Sequence, residues 1–125
     1  MTTIETKNAP AAIGPYSQAK AVNGLVFVSG QIPVIPETGA VAGDTIETQA
    51  EQSCKNVAAI MEASGLTMDN VIKTTCFLSD IADFAAFNDV YAKYFSSNPA
   101  RSCVAVKDIP KGCLCEIEAI AVKQI

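Results

Sequence analysis

The stretch Cys115-Glu116-Ile117-Glu118-Ala119-Ile120-Ala121-Val122 decides how this chain folds. It is rich in β-branched residues, Ile117, Ile120 and Val122, which favour a strand. Both of its faces read as largely apolar, so a layer on one side alone cannot cover it. Asn70-Val71-Ile72-Lys73-Thr74-Thr75-Cys76-Phe77-Leu78 has the same character, with Val71 and Phe77 on one face and Ile72, Cys76 and Leu78 on the other. Two such strands predict a sheet with both faces covered, one by helices of this chain and the other by a second subunit.

Working outward, Ser17–Val22 and Leu25–Ser29 flank Asn23-Gly24, a dipeptide that favours a tight hairpin. Pro33, Pro36 and Gly39 mark a loop over Gln31–Gly43. Asp44-Thr45-Ile46-Glu47 reads as a capping box with Asp44 at the N-cap. The helix it opens carries Ile46, Ala50, Cys54, Val57 and Met61 on its apolar side, pairs Glu51 with Lys55 at i,i+4, and closes at Gly65. A second helix is predicted from Asp80 to Phe95, with Ile81, Phe84, Phe87, Tyr91 and Phe95 along one side, and Ser96–Pro99 stops it. A final pair of strands, Pro99–Val106 and Cys115–Val122, is joined by a turn near Pro110-Lys111-Gly112. The order is β-β-α-β-α-β-β, a single α+β domain over residues 1–125 with two helices on a mixed sheet.

Composition narrows the function classes. Half of the residues are hydrophobic, 18% are charged and the net charge is −4. No cluster of Lys or Arg is present, which argues against nucleic acid or an anionic membrane surface as partner. No apolar run approaches the roughly 20 residues of a spanning helix, and the first residues read as neither signal peptide nor anchor. A cytoplasmic protein is expected. The five cysteines form no CxxC pair, so a disulfide framework is not expected, and Cys113 and Cys115 read as small buried hydrophobes rather than metal ligands. The chain has no histidine, which removes the usual general base and any Ser-His or Cys-His pair.

The polar residues set into the last two strands are the candidates for chemistry. Arg101 and Cys103 share one strand face, and Glu116 shares a face with Glu118. If the two strands are neighbours, Arg101 and Glu116 either neutralise each other or hold a small carboxylate and move a proton beside it. A guanidinium matches a carboxylate in bidentate fashion, and a carboxyl in apolar surroundings tends to keep its proton. Tyr16 after Gly14-Pro15, and Ser29-Gly30 at a strand end, are further candidates beside a backbone that a ligand can approach.

Taken together, Gly14-Pro15-Tyr16-Ser17-Gln18, Ser29-Gly30-Gln31-Ile32-Pro33, Asn56-Val57, Lys73-Thr74-Thr75, Pro99–Val104 and Glu116–Val122 resemble the RidA (YjgF-type) family of imine deaminases, from about Asn8 to Val122. The resemblance implies a chorismate-mutase-like fold, with two helices on one face of the sheet. It implies a homotrimer with the sheets as an inner barrel and ligand sites in the clefts between subunits. It also implies hydrolysis of 2-imino acids such as 2-iminobutyrate and 2-iminopropionate to 2-keto acids and ammonia, which protects pyridoxal-phosphate enzymes and needs no cofactor or metal. Carried onto this chain, Arg101 clamps the carboxylate and Tyr16, Ser29 and Gly30 help position it. Cys103 acts mainly through its backbone at the reacting carbon, and Glu116 handles the water and the proton. Asn88 falls where relatives often carry a polar residue. Cys113 and Cys115 depart from the family pattern. The alternative is a non-catalytic binder of 2-keto acids or related carboxylates that uses the same residues.

Overall fold

A computed structural model of the chain describes residues 1–124. Asn23 and Gly24 both adopt positive φ (50° and 79°), as the tight hairpin requires, and join β2 (Ala19–Val22) to β3 (Leu25–Gln31). The chain before them adds a strand that the sequence reading did not include, β1 (Thr2–Ile4), antiparallel to β2. After β3 come α1 (Ile46–Ala63), β4 (Val71–Leu78), α2 (Phe84–Tyr94), β5 (Ala100–Ala105) and β6 (Cys115–Val122). The six strands form one sheet in the order β1-β2-β3-β6-β4-β5, antiparallel throughout except for β4 with β5. No helix among the described residues is long and apolar enough to cross a membrane.

Both helices pack on one face of this sheet, as expected. Ala50, Cys54, Val57, Ile60 and Met61 of α1, and Phe87 and Tyr91 of α2, meet Val26, Val28, Cys76, Leu78, Ile117, Ala119 and Ala121 in one buried core. Cys113 and Cys115 are buried, as packing residues should be. At the C-terminal end of α2, Tyr91 stacks on the capping residue Phe95 with ring centroids 4.3 Å apart.

Four local readings are corrected. The N-cap of α1 is Thr45, not Asp44: its hydroxyl accepts from the Thr48 amide at 3.2 Å. Glu51, expected to pair with Lys55, instead accepts from the Tyr94 hydroxyl at 2.9 Å and ties α1 to α2. The second helix divides: Asp80 caps a 3₁₀ turn over Ile81–Asp83, and α2 begins only at Phe84. Hence Ile81 and Phe84 stay exposed while Phe87, Tyr91 and Phe95 carry the packing. In β4 a register irregularity between Val71 and Lys73 turns Val71 into the core and leaves Ile72 46% exposed, where strict alternation had put Ile72 with Cys76.

The face away from the helices is open. Phe27 (43%), Ile72 (46%) and Val104 (45%) are exposed there, beside the half-buried Phe77, Ile120 and Val122.

Candidate functional site

The candidate residues fall into two groups. Strand β4 lies between β5 and β6, so Arg101 and Glu116 are not on neighbouring strands. Arg101 and Cys103 are in register with Thr74 and Cys76, whose side chains point to the helices. Glu116 and Glu118 are in register with Phe77 and Thr75, which point to the open face. Alternation therefore puts Arg101 and Glu116 on opposite faces of one sheet, and the direct Arg-Glu pair does not form. Nor is β5 a buried strand: it is the sheet edge, paired only with β4, and its residues are half-buried or exposed.

The first group gathers at that edge. An Arg101 Nη1 donates to Asn88 Oδ1 at 2.8 Å, and the guanidinium carbon lies 4.7 Å from the Tyr91 ring centroid and 5.5 Å from that of Phe84. Helix α2 supplies all three partners from one side, at i, i+4 and i+7. Tyr91 and Thr74 share a hydrogen bond of 2.7 Å between their hydroxyls. A cavity of about 270 Å³ opens here, lined by Asn88, Tyr91, Phe95, Asn98, Pro99 and Arg101. Cys103 sits two residues along the strand, half-buried. Burial pushes its thiol above the usual range while the Arg101 charge pulls the other way, so it stays a thiol near neutral pH.

The second group lies where β3 meets β6. Gly30 leaves room for the Glu116 carboxylate, which a Cβ there would meet, with Cδ only 2.9 Å away. The Glu116 carboxyl is half-buried, and its pKa is raised above the ordinary 4.5 by burial first and by the Glu118 charge second. Ser29 donates its hydroxyl to the Ser17 carbonyl at 2.6 Å and its amide to the Gln18 carbonyl at 2.9 Å. Its role here is to tie β3 to the segment that carries Tyr16. The buried Gln18 holds that segment from within, donating to the carbonyls of Thr6, Ala9 and Pro10 and accepting from the Thr6 amide. Asn56 does the same for the far wall, donating to the carbonyls of Ile32 and Val34. Between these walls Tyr16, Gly30, Ile13, Ile32 and Lys111 line a cavity of about 210 Å³.

The structure thus brings Tyr16, Ser29, Gly30 and Glu116 together, and separately Arg101, Asn88 and Cys103. Phe84 and Tyr91 read as core residues in the sequence, yet both stack against Arg101. Their i, i+7 spacing around Asn88 is the signal that finds them. One group is a guanidinium held at the sheet edge by an amide and two rings. The other is a carboxyl biased to hold a proton, beside backbone free of side-chain cover.

A small α+β domain with a one-sided helical layer, an arginine held at the sheet edge and a half-buried carboxyl on the opposite face is the class of protein these features define. The family described as Endoribonuclease L-PSP matches residues 6–123, and the chain belongs to it, the family of the YjgF and RidA proteins. It is 55% identical over 97% of both chains to a protein of Lactococcus lactis named putative regulator AldR. It is 52% identical to the 2-iminobutanoate/2-iminopropanoate deaminase of Salmonella typhimurium, over 98% of each. Among solved structures, a putative endoribonuclease from Thermotoga maritima superposes with a TM-score of 0.97 at 48% identity, covering 100% of this chain and 99% of that one. Escherichia coli TdcF with bound serine superposes at 0.93 and 48% identity, over 98% of each chain.

Proposed function

We propose that this protein hydrolyses 2-imino acids to 2-keto acids and ammonia in a site that two subunits complete. The observation that carries this reading is the division of the site. A carboxylate clamp lies at the edge of the sheet and a proton-handling carboxyl on its opposite face, and neither can serve a molecule of a few heavy atoms without the other. A second copy set against the open apolar face brings the Arg101 edge of one chain to the Glu116 group of its neighbour. A closed ring of three such copies covers the open sheet face of each.

In that site the Arg101 fork takes the substrate carboxylate, with Asn88 fixing its orientation. Tyr16 and the Ser29-Gly30 backbone confine the imine, and the Cys103 backbone lies along the reacting carbon. Glu116 accepts a proton from water as its oxygen adds to the imine carbon, then passes that proton to the nitrogen. Glu116 then takes the proton of the new hydroxyl as the carbonyl forms and delivers it to the nitrogen, which leaves as ammonia, so one water is consumed and no electrons are transferred. Such assistance contributes about 10²–10⁴-fold and orientation more, enough for an imine that already hydrolyses in water. No step calls on a metal or organic cofactor. Removal of imines released by pyridoxal-phosphate enzymes is the corresponding cellular role. Support comes from the relatives named imine deaminases, from the serine bound by TdcF, and from a net charge of −4 without histidine, which suits a small carboxylate better than RNA.

The test is to generate 2-iminobutyrate from threonine with a dehydratase, trap it with semicarbazide, and add wild type, Arg101→Ala or Glu116→Ala. Wild type should suppress trapping, and each variant should lose at least about tenfold in kcat/KM, roughly 1.4 kcal/mol. Refolding the two variants together should restore roughly a quarter of the wild-type rate, because a quarter of shared sites then contain both residues. No suppression by wild type leaves a carboxylate binder. No restoration on mixing removes the shared site.

A further inference from the structure

Arg101 is the only arginine in the chain, and it stands on an edge strand, where a long side chain would ordinarily wave in solvent. Here it does not. Its partners are three side chains on one face of α2, and one of these is anchored in turn to β4. We infer that Phe84, Asn88 and Tyr91 form a cradle that holds the Arg101 guanidinium in its working orientation, with Tyr91 as the positioning residue. This deepens the reading of Arg101 as carboxylate clamp and rests on it.

Each side of the cradle does something different. Asn88 accepts one of the five guanidinium N–H bonds at 2.8 Å, which sets the rotation of the plane and leaves four for a ligand. The Tyr91 ring, 4.7 Å from the guanidinium carbon, attracts the cation to its face. Phe84, 37% exposed and 5.5 Å away, supplies a second ring at the rim. Tyr91 itself cannot swing, because its hydroxyl is bound at 2.7 Å to that of Thr74, which is fully buried. Thr74 is also the residue paired in register with Arg101. The strand pair that carries the arginine therefore also fixes the ring beneath it, so side chain and platform move as one unit. Burial pushes the Tyr91 hydroxyl up to about 12, so the Thr74 bond persists across the neutral range. Ordering the arginine before the ligand arrives lowers the entropy lost on binding. Packing alone would explain Phe87 and Phe95, which are buried beneath this stripe. It does not explain an aromatic ring, an amide and a second ring presented in sequence to one cation.

A single arginine makes the test direct. Protein labelled with ¹⁵N-arginine has one Nε–Hε resonance, and a proton over a ring face is shifted upfield. We expect Tyr91→Leu to move that resonance downfield, Tyr91→Phe to keep most of the shift, and Thr74→Val to broaden it. In parallel, the Kd of 2-ketobutyrate, measured by calorimetry, should rise at least about fivefold in Tyr91→Leu and less than about threefold in Tyr91→Phe, and kcat should change less than KM. An unmoved resonance in folded Tyr91→Leu overturns the cradle. A moved resonance with unchanged Kd overturns the positioning role. If Tyr91→Leu fails to fold, Thr74→Val decides, and a resonance and Kd equal to wild type refute the proposal. If Arg101→Ala binds 2-ketobutyrate as wild type does, the clamp itself fails, and the resonance still shows whether the cradle exists.

Discussion

Gly30→Ala isolates the contact on which the proposed acid-base role of Glu116 depends. The φ at Gly30 is not positive, so alanine meets no backbone strain and the whole effect is steric. Its Cβ would overlap the end of the Glu116 side chain and come within 2.9 Å of Cδ and 3.2 Å of Cγ. What must yield is the far end of a flexible, half-buried side chain, not backbone. The carboxylate can turn aside at a stability cost below about 1 kcal/mol, in the range of a modest off-rotamer penalty. For 125 residues that is a fall in Tm of about 4 °C or less. Catalysis is less forgiving, because a shift of about 1 Å in a proton carrier can cost about 10²-fold, or about 2.7 kcal/mol. The assay pairs kcat/KM from semicarbazide trapping with Tm from circular dichroism. In a Glu116→Ala background the same substitution should have almost no further effect, since the group it displaces is gone. Activity of Gly30→Ala within about threefold of wild type would refute the reasoning, as would an equal loss in both backgrounds.

Three further outcomes follow from the same geometry. Glu116 must be ionised to take a proton, and its pKa is raised, so kcat/KM should fall with decreasing pH along a limb that lies above pH 4.5. Glu118→Gln should move that limb down and Glu116→Gln abolish it. The folded chain also holds more protons than the unfolded one in that interval, so stability falls there as pH rises, and Glu116→Gln should flatten the slope. Thr45→Ala should lower Tm by about 4 °C through loss of a cap worth about 1 kcal/mol, while Asp44→Ala leaves it nearly unchanged. Equal effects would return the cap to Asp44. Phe27→Glu places a charge on the open face, and sedimentation should drop from three times the 13.1 kDa of a chain to a single chain. Wild type that sediments as a single chain would remove the trimer.

Much of the architecture is legible because it is local. Asn23-Gly24 forms the predicted turn because both residues accept positive φ, and the stripe from Ile46 to Met61 packs as its spacing requires. The break at Asp80–Asp83 was not legible, nor was the parity change at Val71. Both depend on which neighbour a residue meets, and the helical and strand periods alone do not register a one-residue shift. The short β1 was missed because three residues acquire strand character only from pairing with β2. Among the candidate site residues, the arrangement was not readable from the sequence. Arg101, Asn88 and Cys103 lie near one another, as do Tyr16, Ser29, Gly30 and Glu116, but that these are two groups and not one follows from strand order.

By itself the sequence determined an α+β domain with two helices, the polar residues that stand out from its apolar strands, and the family that shares those motifs. The tertiary structure decided that β4 separates Arg101 from Glu116 and that Tyr91 lies beneath the arginine. The physical reason is range. Period, turn chemistry and capping act over a few residues of chain, whereas the face on which a side chain emerges and what it meets there depend on register between strands distant in sequence.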